Sequence, residues 1–196
     1  MARRPHCSRT GKPTPVFDLV PIQAVSPAAV EALLDAAFGT DRHGRTAYRL
    51  REGVAPITAM SLAAVIGEEL VGSIQCWPVR LIRDAGGSVP MILVGPIAVS
   101  PAHQDIGIGR ALTRTAIERA AEVEGGDAMM LIGDPDYYGR FFGFSAERTG
   151  GWRLPGPFEP QRLLALGAGV PETAGEVAPR VSADTLQPAA GADPRS

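Results

Sequence analysis

Gln104-Asp105-Ile106-Gly107-Ile108-Gly109 stands between an apolar run, Ile92 to Val99, and a helix-patterned run, Ile108 to Glu124. A strand, a tight glycine turn and a helix in that order aim backbone N–H groups and a helix N-terminus at one spot, which suits a pyrophosphate. The loop is not a nucleotide-binding P-loop, because Gly109 is followed by Arg110 and Ala111 rather than by Lys and a hydroxyl residue. A dinucleotide fingerprint fails as well: Leu112 occupies the place of the third glycine, and the preceding strand is not the first of the chain. A plain glycine-rich turn is the competing reading.

The rest of the chain sets limits on partners. With 196 residues, 45% of them hydrophobic, it has enough apolar material for one self-sufficient domain. A formal net charge of -2 supplies no general field for nucleic acid or an anionic membrane, so neither is expected as a partner. Cys7 and Cys76 form no metal or redox spacing, and no metal is expected. The basic, proline-containing start lacks the apolar core of a signal peptide, and no apolar run reaches the roughly 18 residues of a membrane helix, so a cytoplasmic location is expected. Dimers are the commonest assembly on general grounds, which makes a homodimer the default oligomer.

Residues 1 to 15 read as a loose arm and residues 16 to 167 as the folded domain; the Ala-, Gly- and Pro-rich segment from 168 to 196 reads as a disordered tail. Within the domain, Val16 to Val20 is a first strand. Ser26 and Pro27 open a helix that runs to Phe38 and stops at Gly39. Ala59 to Ile66 and Leu70 to Leu81 form a hairpin about Gly67-Glu68-Glu69, and Val89 to Val99 follows the turn Asp84 to Gly87. Gly95-Pro96 interrupts that last strand, since proline cannot donate to a sheet ladder. Ala128 to Ile132 is a short buried strand, Asp134 caps a helix from Pro135 to Phe142, and Arg162 to Leu166 is the final strand of a hairpin-like arm.

The apolar strand, the Gln-x-x-Gly-x-Gly loop, the helix, and the later segment Gly133 to Phe144 with its tyrosines ahead of Gly143-Phe144 together resemble the GCN5-related N-acetyltransferase (GNAT) family, most closely its bacterial YhbS-like branch. The resemblance implies an α/β (α+β) fold: a mixed, mostly antiparallel twisted sheet of about six to seven strands flanked by helices, splayed between its fourth and fifth strands. It implies acetyl-CoA as acyl donor and a small-molecule or protein amine as acceptor, joined by direct attack in a ternary complex. Ile97, Ala98 and Val99 would then lie along the pantetheine arm. The amides of Gln104, Asp105, Ile106, Gly107, Ile108 and Gly109, with Arg110, would hold the pyrophosphate, and Asp134 would adjoin the cofactor.

Acyl transfer needs a neutral amine, a stabilised carbonyl oxygen and a proton for the departing thiolate. By the resemblance an N–H near Ala98 or Val99 polarises the carbonyl and Tyr138 supplies the proton, with Tyr137 as the alternative. Tyr138 lies five residues before Gly143, one more than relatives commonly show. No residue stands out as general base, and His103 reads as a loop-packing residue. The cation-rich segment Asp41 to Arg51 falls where the family builds one wall of its acceptor groove. His43, Arg45 or Arg49 would meet an anionic part of the acceptor there, or would simply face solvent. Trp77 would line the same site. A non-catalytic acyl-CoA-binding module with this fold is the competing function.

Overall fold

A computed structural model describes residues 16–181; the expected N-terminal arm and residues 182–196 lie outside the described residues. The chain forms, in order, β1 (Asp18–Pro21), α1 (Pro27–Phe38), α2 (Thr46–Arg49), β2 (Leu62–Ile66), β3 (Glu69–Arg83), β4 (Ser88–Val99), α3 (Ile108–Arg119), β5 (Met129–Ile132), α4 (Pro135–Phe142), β6 (Trp152–Arg153), β7 (Leu163–Leu166) and β8 (Gly175–Pro179). All eight strands belong to one sheet, in the order β1-β2-β3-β4-β5-β7, with β8 beside β3 and β6 beside β8. Apart from β4 with β5 and β6 with β8, every pair is antiparallel.

Side chains alternate across this sheet as a strand demands. On β4, Ile92 and Val94 enter the core beneath α3, whereas Met91 and Leu93 enter the core on the opposite face with Trp152 and Val177. From α3, Ile108, Leu112 and Ala116 are buried on the first of these cores. Gly72 on β3 lets α3 approach, because a Cβ there would meet Leu112 Cδ1 at 3.2 Å and would crowd Ile108 more closely still. Val30, Leu33 and Leu34 of α1 pack separately with Ala98.

Two irregularities shape the middle of the sheet. Ile74 pairs with Ile97 and Cys76 with Val94, so a single residue of β3, Gln75, faces two of β4, Gly95 and Pro96. The proline therefore sits in a bulge, where its missing N–H breaks no ladder. Second, β4 and β5 pair only at Ile92 with Met129 and Leu93 with Met130. Past Leu93 the strands part, as the family resemblance implies.

Two expectations need correction. The segment from 168 onward is not wholly a disordered tail: Gly175–Pro179 form β8, which pairs with Val79–Arg83 and buries Val177 completely. Together with the short β6, it brings the sheet to eight strands. Several element ends also shift. The first strand begins at Asp18 rather than Val16, and α3 ends at Arg119, tightening into a 3-10 turn over Ala120–Glu122.

Candidate functional site

The glycine loop leaves its amides available. His103 donates its N–H to Ser100 O at 2.8 Å, and the next backbone N–H with a well-formed hydrogen bond is that of Ala111, to Gly107 O at 3.0 Å. Asp105 and Gly107 both adopt positive φ, 67° and 90°. This turns the chain so that Gly107 precedes the first residue of α3 and the amides of its first turn point outward. Ile106 packs into the core under α3 and anchors the loop from below, while Asp105 is exposed. A concavity of about 420 Å³ lies over this turn, lined by Gln104, Gly107, Gly109, Arg110, Tyr137 and Phe141 among others. Arg110 lies 5.1 Å from the centroid of the Phe141 ring, held at the rim.

His103 also borders this concavity, with Nδ1 buried and 3.9 Å from Glu69 Oε1. That position matches a loop-packing residue.

Where β4 and β5 separate, a larger cleft of about 750 Å³ opens, floored by Val94 to Ile97 on one side and Leu131 to Asp134 on the other. Tyr138 of α4 reaches into it. Gly133 makes room for the ring, since a Cβ there would meet Tyr138 Cδ2 at 2.7 Å. Burial pushes the Tyr138 phenol up to about 12, with neighbouring Tyr137 and Asp134 adding to the effect, so the side chain holds its proton at neutral pH. Tyr137 is raised by burial too, with Arg110 opposing. The two tyrosines thus face different cavities: Tyr138 the cleft, Tyr137 the loop concavity.

Ahead of Gly143, α4 closes in a wide turn. The Tyr138 carbonyl accepts from Phe144 N–H at 3.3 Å, six residues on, and Gly143 N–H is shared between the carbonyls of Gly139 and Tyr138. That closing turn is one residue wider than the usual C-cap. At the other end, Asp134 Oδ1 accepts from Asp136 N–H at 2.9 Å and Tyr137 N–H at 3.4 Å. Asp134 borders the cleft, but its carboxylate is committed to the cap.

The remaining wall comes from the α2 region and the 155–159 loop, clasped together. Thr46 Oγ1 donates to Pro157 O at 2.5 Å and Arg49 Nη1 to Pro155 O at 2.5 Å. Gly156 permits the approach, because a Cβ would meet Thr46 Oγ1 at 2.7 Å. Arg49 is therefore a brace and lines none of the cavities described here. Arg45 does line the cleft, with Nη2 donating to Phe38 O at 2.8 Å. His43 packs against Tyr48 in a tilted contact with ring centroids 4.9 Å apart and, with Trp77, borders an adjoining recess of about 250 Å³.

Three arginines that sequence reasoning passed over also border the cleft: Arg42, Arg51 and Arg162. Arg42 is almost wholly buried and bonded to Glu31, Asp35 and Tyr48. Burial works against its charge, but those bonds outweigh it and raise its pKa. Arg51 is different. Its guanidinium lies 4.3 Å from the Tyr48 ring centroid and 5.6 Å from that of Trp77, and it ion-pairs with no carboxylate among the described residues. Burial lowers its pKa, with Tyr48 opposing. The sequence signal was only the density of cations from 42 to 51; α2 spans four residues, too few for a periodicity to reveal which ones face inward. Among the described residues no group of three His, Cys, Asp or Glu side chains is placed to hold a metal.

Comparison with known proteins points to one family. The model of the acetyltransferase (GNAT) family matches residues 28–144. A structure of the GNAT family N-acetyltransferase YhbS from Escherichia coli in complex with CoA superposes with a TM-score of 0.63 at 23% identity, covering 84% of this chain and 89% of that one. A GNAT family acetyltransferase from Brucella melitensis in complex with acetyl-CoA gives a TM-score of 0.58 at 24% identity, covering 85% of this chain and 97% of that one. These likenesses are of fold. A search of curated proteins finds no match.

Proposed function

The chain belongs to the GNAT acetyltransferase family, and from that premise we propose that it is an acetyl-CoA-dependent N-acetyltransferase of the YhbS-like branch, acting on an amine of a small molecule or protein by direct attack in a ternary complex. One observation carries the reading: the parted β4 and β5 leave a cleft with Tyr138 inside it, and the same β4 leads directly to a loop of available amides.

Acetyl-CoA supplies an activated acyl group on a thiol leaving group. The residues from Gln104 to Arg110 fit its pyrophosphate, through free backbone N–H groups, a helix N-terminus and one guanidinium. Beyond Leu93, the β4 edge facing β5 has no ladder partner, so the backbone of Ile97 to Val99 can pair with an extended amide-bearing arm. An N–H of Ala98 or Val99 there polarises the acyl carbonyl. The attacking amine nitrogen forms the new bond to the carbonyl carbon as the carbon–sulfur bond breaks. Tyr138 gives its phenolic proton to the departing sulfur, the nitrogen sheds its surplus proton to solvent, and the phenolate takes one back from solvent. The amine must arrive neutral, because the carboxylates bordering the cleft are Asp134, tied up as a cap, and Glu159, exposed beside Arg162.

The second reading is a module that binds acyl-CoA without turnover; in either reading an exposed Asp105 in the pyrophosphate loop opposes the anionic ligand and lowers affinity. Calorimetric titration with acetyl-CoA, CoA and ATP at one ionic strength, followed by an amine screen reading thiol release, tests both. Saturable binding of acetyl-CoA but not ATP, with thiol released, is the expected result. Binding without turnover of any amine would leave the acyl-CoA module, and no binding of either CoA species would sink both readings.

A further inference from the structure

Charges around the cleft are unevenly matched. Of its bordering cations, Arg42 is ion-paired with two carboxylates, Glu31 and Asp35, and Arg162 lies 3.8 Å from Glu159. Arg45 is occupied by a backbone carbonyl. Arg51 stands apart: it borders both the cleft and the adjoining recess, and its Nε is buried without an acceptor. Its guanidinium lies against the Tyr48 and Trp77 rings and near Glu31, yet it forms no ion pair with Glu31 or with Glu52, the carboxylates that border the recess. A part-buried guanidinium in that state is stabilised by any oxyanion that reaches it, through paired N–H donors.

We infer that the acceptor is a small amine carrying an oxyanion, a carboxylate or a phosphate ester, which Arg51 holds at the junction of cleft and recess. The inference rests on the acetyltransferase reading above for the amine, and on the unpartnered Nε of Arg51 at the junction of the two cavities for the oxyanion. Small size is inferred from Thr46 and Pro157, which are hydrogen-bonded to each other and join two walls of the cleft that both residues border.

The test uses matched pairs of primary amines: amino acids beside their carboxamides, and phosphoethanolamine beside ethanolamine. Each is assayed for thiol release with saturating acetyl-CoA and titrated calorimetrically into the CoA-saturated protein. The anionic member of at least one series should be preferred about tenfold or more in kcat/KM, mainly through KM, the scale of one charge-assisted hydrogen-bonded pair. Whether the carboxylates or the phosphate show the preference identifies the oxyanion. Arg51→Gln should bring the two members to within about threefold, and Arg51→Lys, which keeps the charge and loses the fork, should fall between. Unchanged acetyl-CoA affinity in both variants certifies that the fold is intact. Equal use of the paired amines by the wild type, or an equal loss on both in Arg51→Gln, would overturn the oxyanion site and leave the enzyme reading standing. If no amine releases thiol, the enzyme reading fails by itself, and calorimetry still decides: saturable binding of the anionic members that Arg51→Gln abolishes supports the site, and no binding overturns it.

Discussion

Adjacent tyrosines in α4 serve different cavities, so exchanging either for phenylalanine should give distinguishable results. Tyr138→Phe removes the proton donor in the cleft and should lower kcat by about 100-fold while acetyl-CoA affinity stays within about twofold. Tyr137→Phe, at the loop concavity, should raise KM for acetyl-CoA a few-fold and leave kcat nearly intact; steady-state kinetics with both substrates varied would separate the two. The pH profile carries the same information. Because the Tyr138 phenol is pushed up to about 12, kcat should climb with pH as the acceptor amine deprotonates, without the downturn near pH 10 that an ordinary phenol would impose. Stability has the opposite sign. An unfolded chain gives up this proton near 10 and the folded one near 12, so the native state holds more protons in between and loses stability as pH rises through that window, measurable by urea titration. Tyr138, with Tyr137 as the alternative, was named from the family resemblance. Arg51 was not, because its orientation depends on Tyr48 and Trp77, which stack on it from separate elements.

At the level of elements, glycine decides where backbone and rings can lie. Gly107→Ala places a Cβ at a φ of 90°, a strain of about 1–2 kcal/mol, and should weaken acetyl-CoA binding about tenfold by calorimetry. Gly133→Ala should instead act through β5 and α4: its methyl group displaces the Tyr138 ring, so kcat should fall about tenfold or more with acetyl-CoA affinity retained. Helix starts were easier to read than strand starts or the end of α3. Asp134 with Pro135, and Gly107 ahead of Ile108, are local chemistry that fixes an N-terminus whatever the surroundings. The end of α3 depends on a distant strand, since Gly125 backs onto Pro90 and Met91 so closely that a Cβ would lie 2.9 Å from the Met91 amide nitrogen. Nothing local to residues 119–124 announces that contact.

Across the whole molecule, the sheet's spine and the loop that hangs from it were legible, because long apolar strands and paired turn glycines carry strong local signals. β8 was not. Gly175-Glu176-Val177-Ala178-Pro179 offers one large apolar side chain and no alternation worth the name. What specifies it is the free flank of β3 and the absence of a Cβ at Gly175, which would otherwise meet Leu81 Cγ at 3.0 Å. Val177→Ala should cost roughly 1–3 kcal/mol, a fall of about 2–12 °C in Tm by differential scanning calorimetry. Ending the chain at Ala174 should cost more and lower the yield of soluble protein. The order in which a ribosome delivers this chain gives that flank a further meaning. β2, β4 and the entire cleft are synthesised before β8, so Val79–Arg83 wait with bare edge amides and carbonyls until nearly all of the described chain has emerged. Nascent chains halted short of that point would carry a nearly finished domain with one adhesive border, the kind of species that holdase chaperones retain and that crowded translation complexes cross-pair.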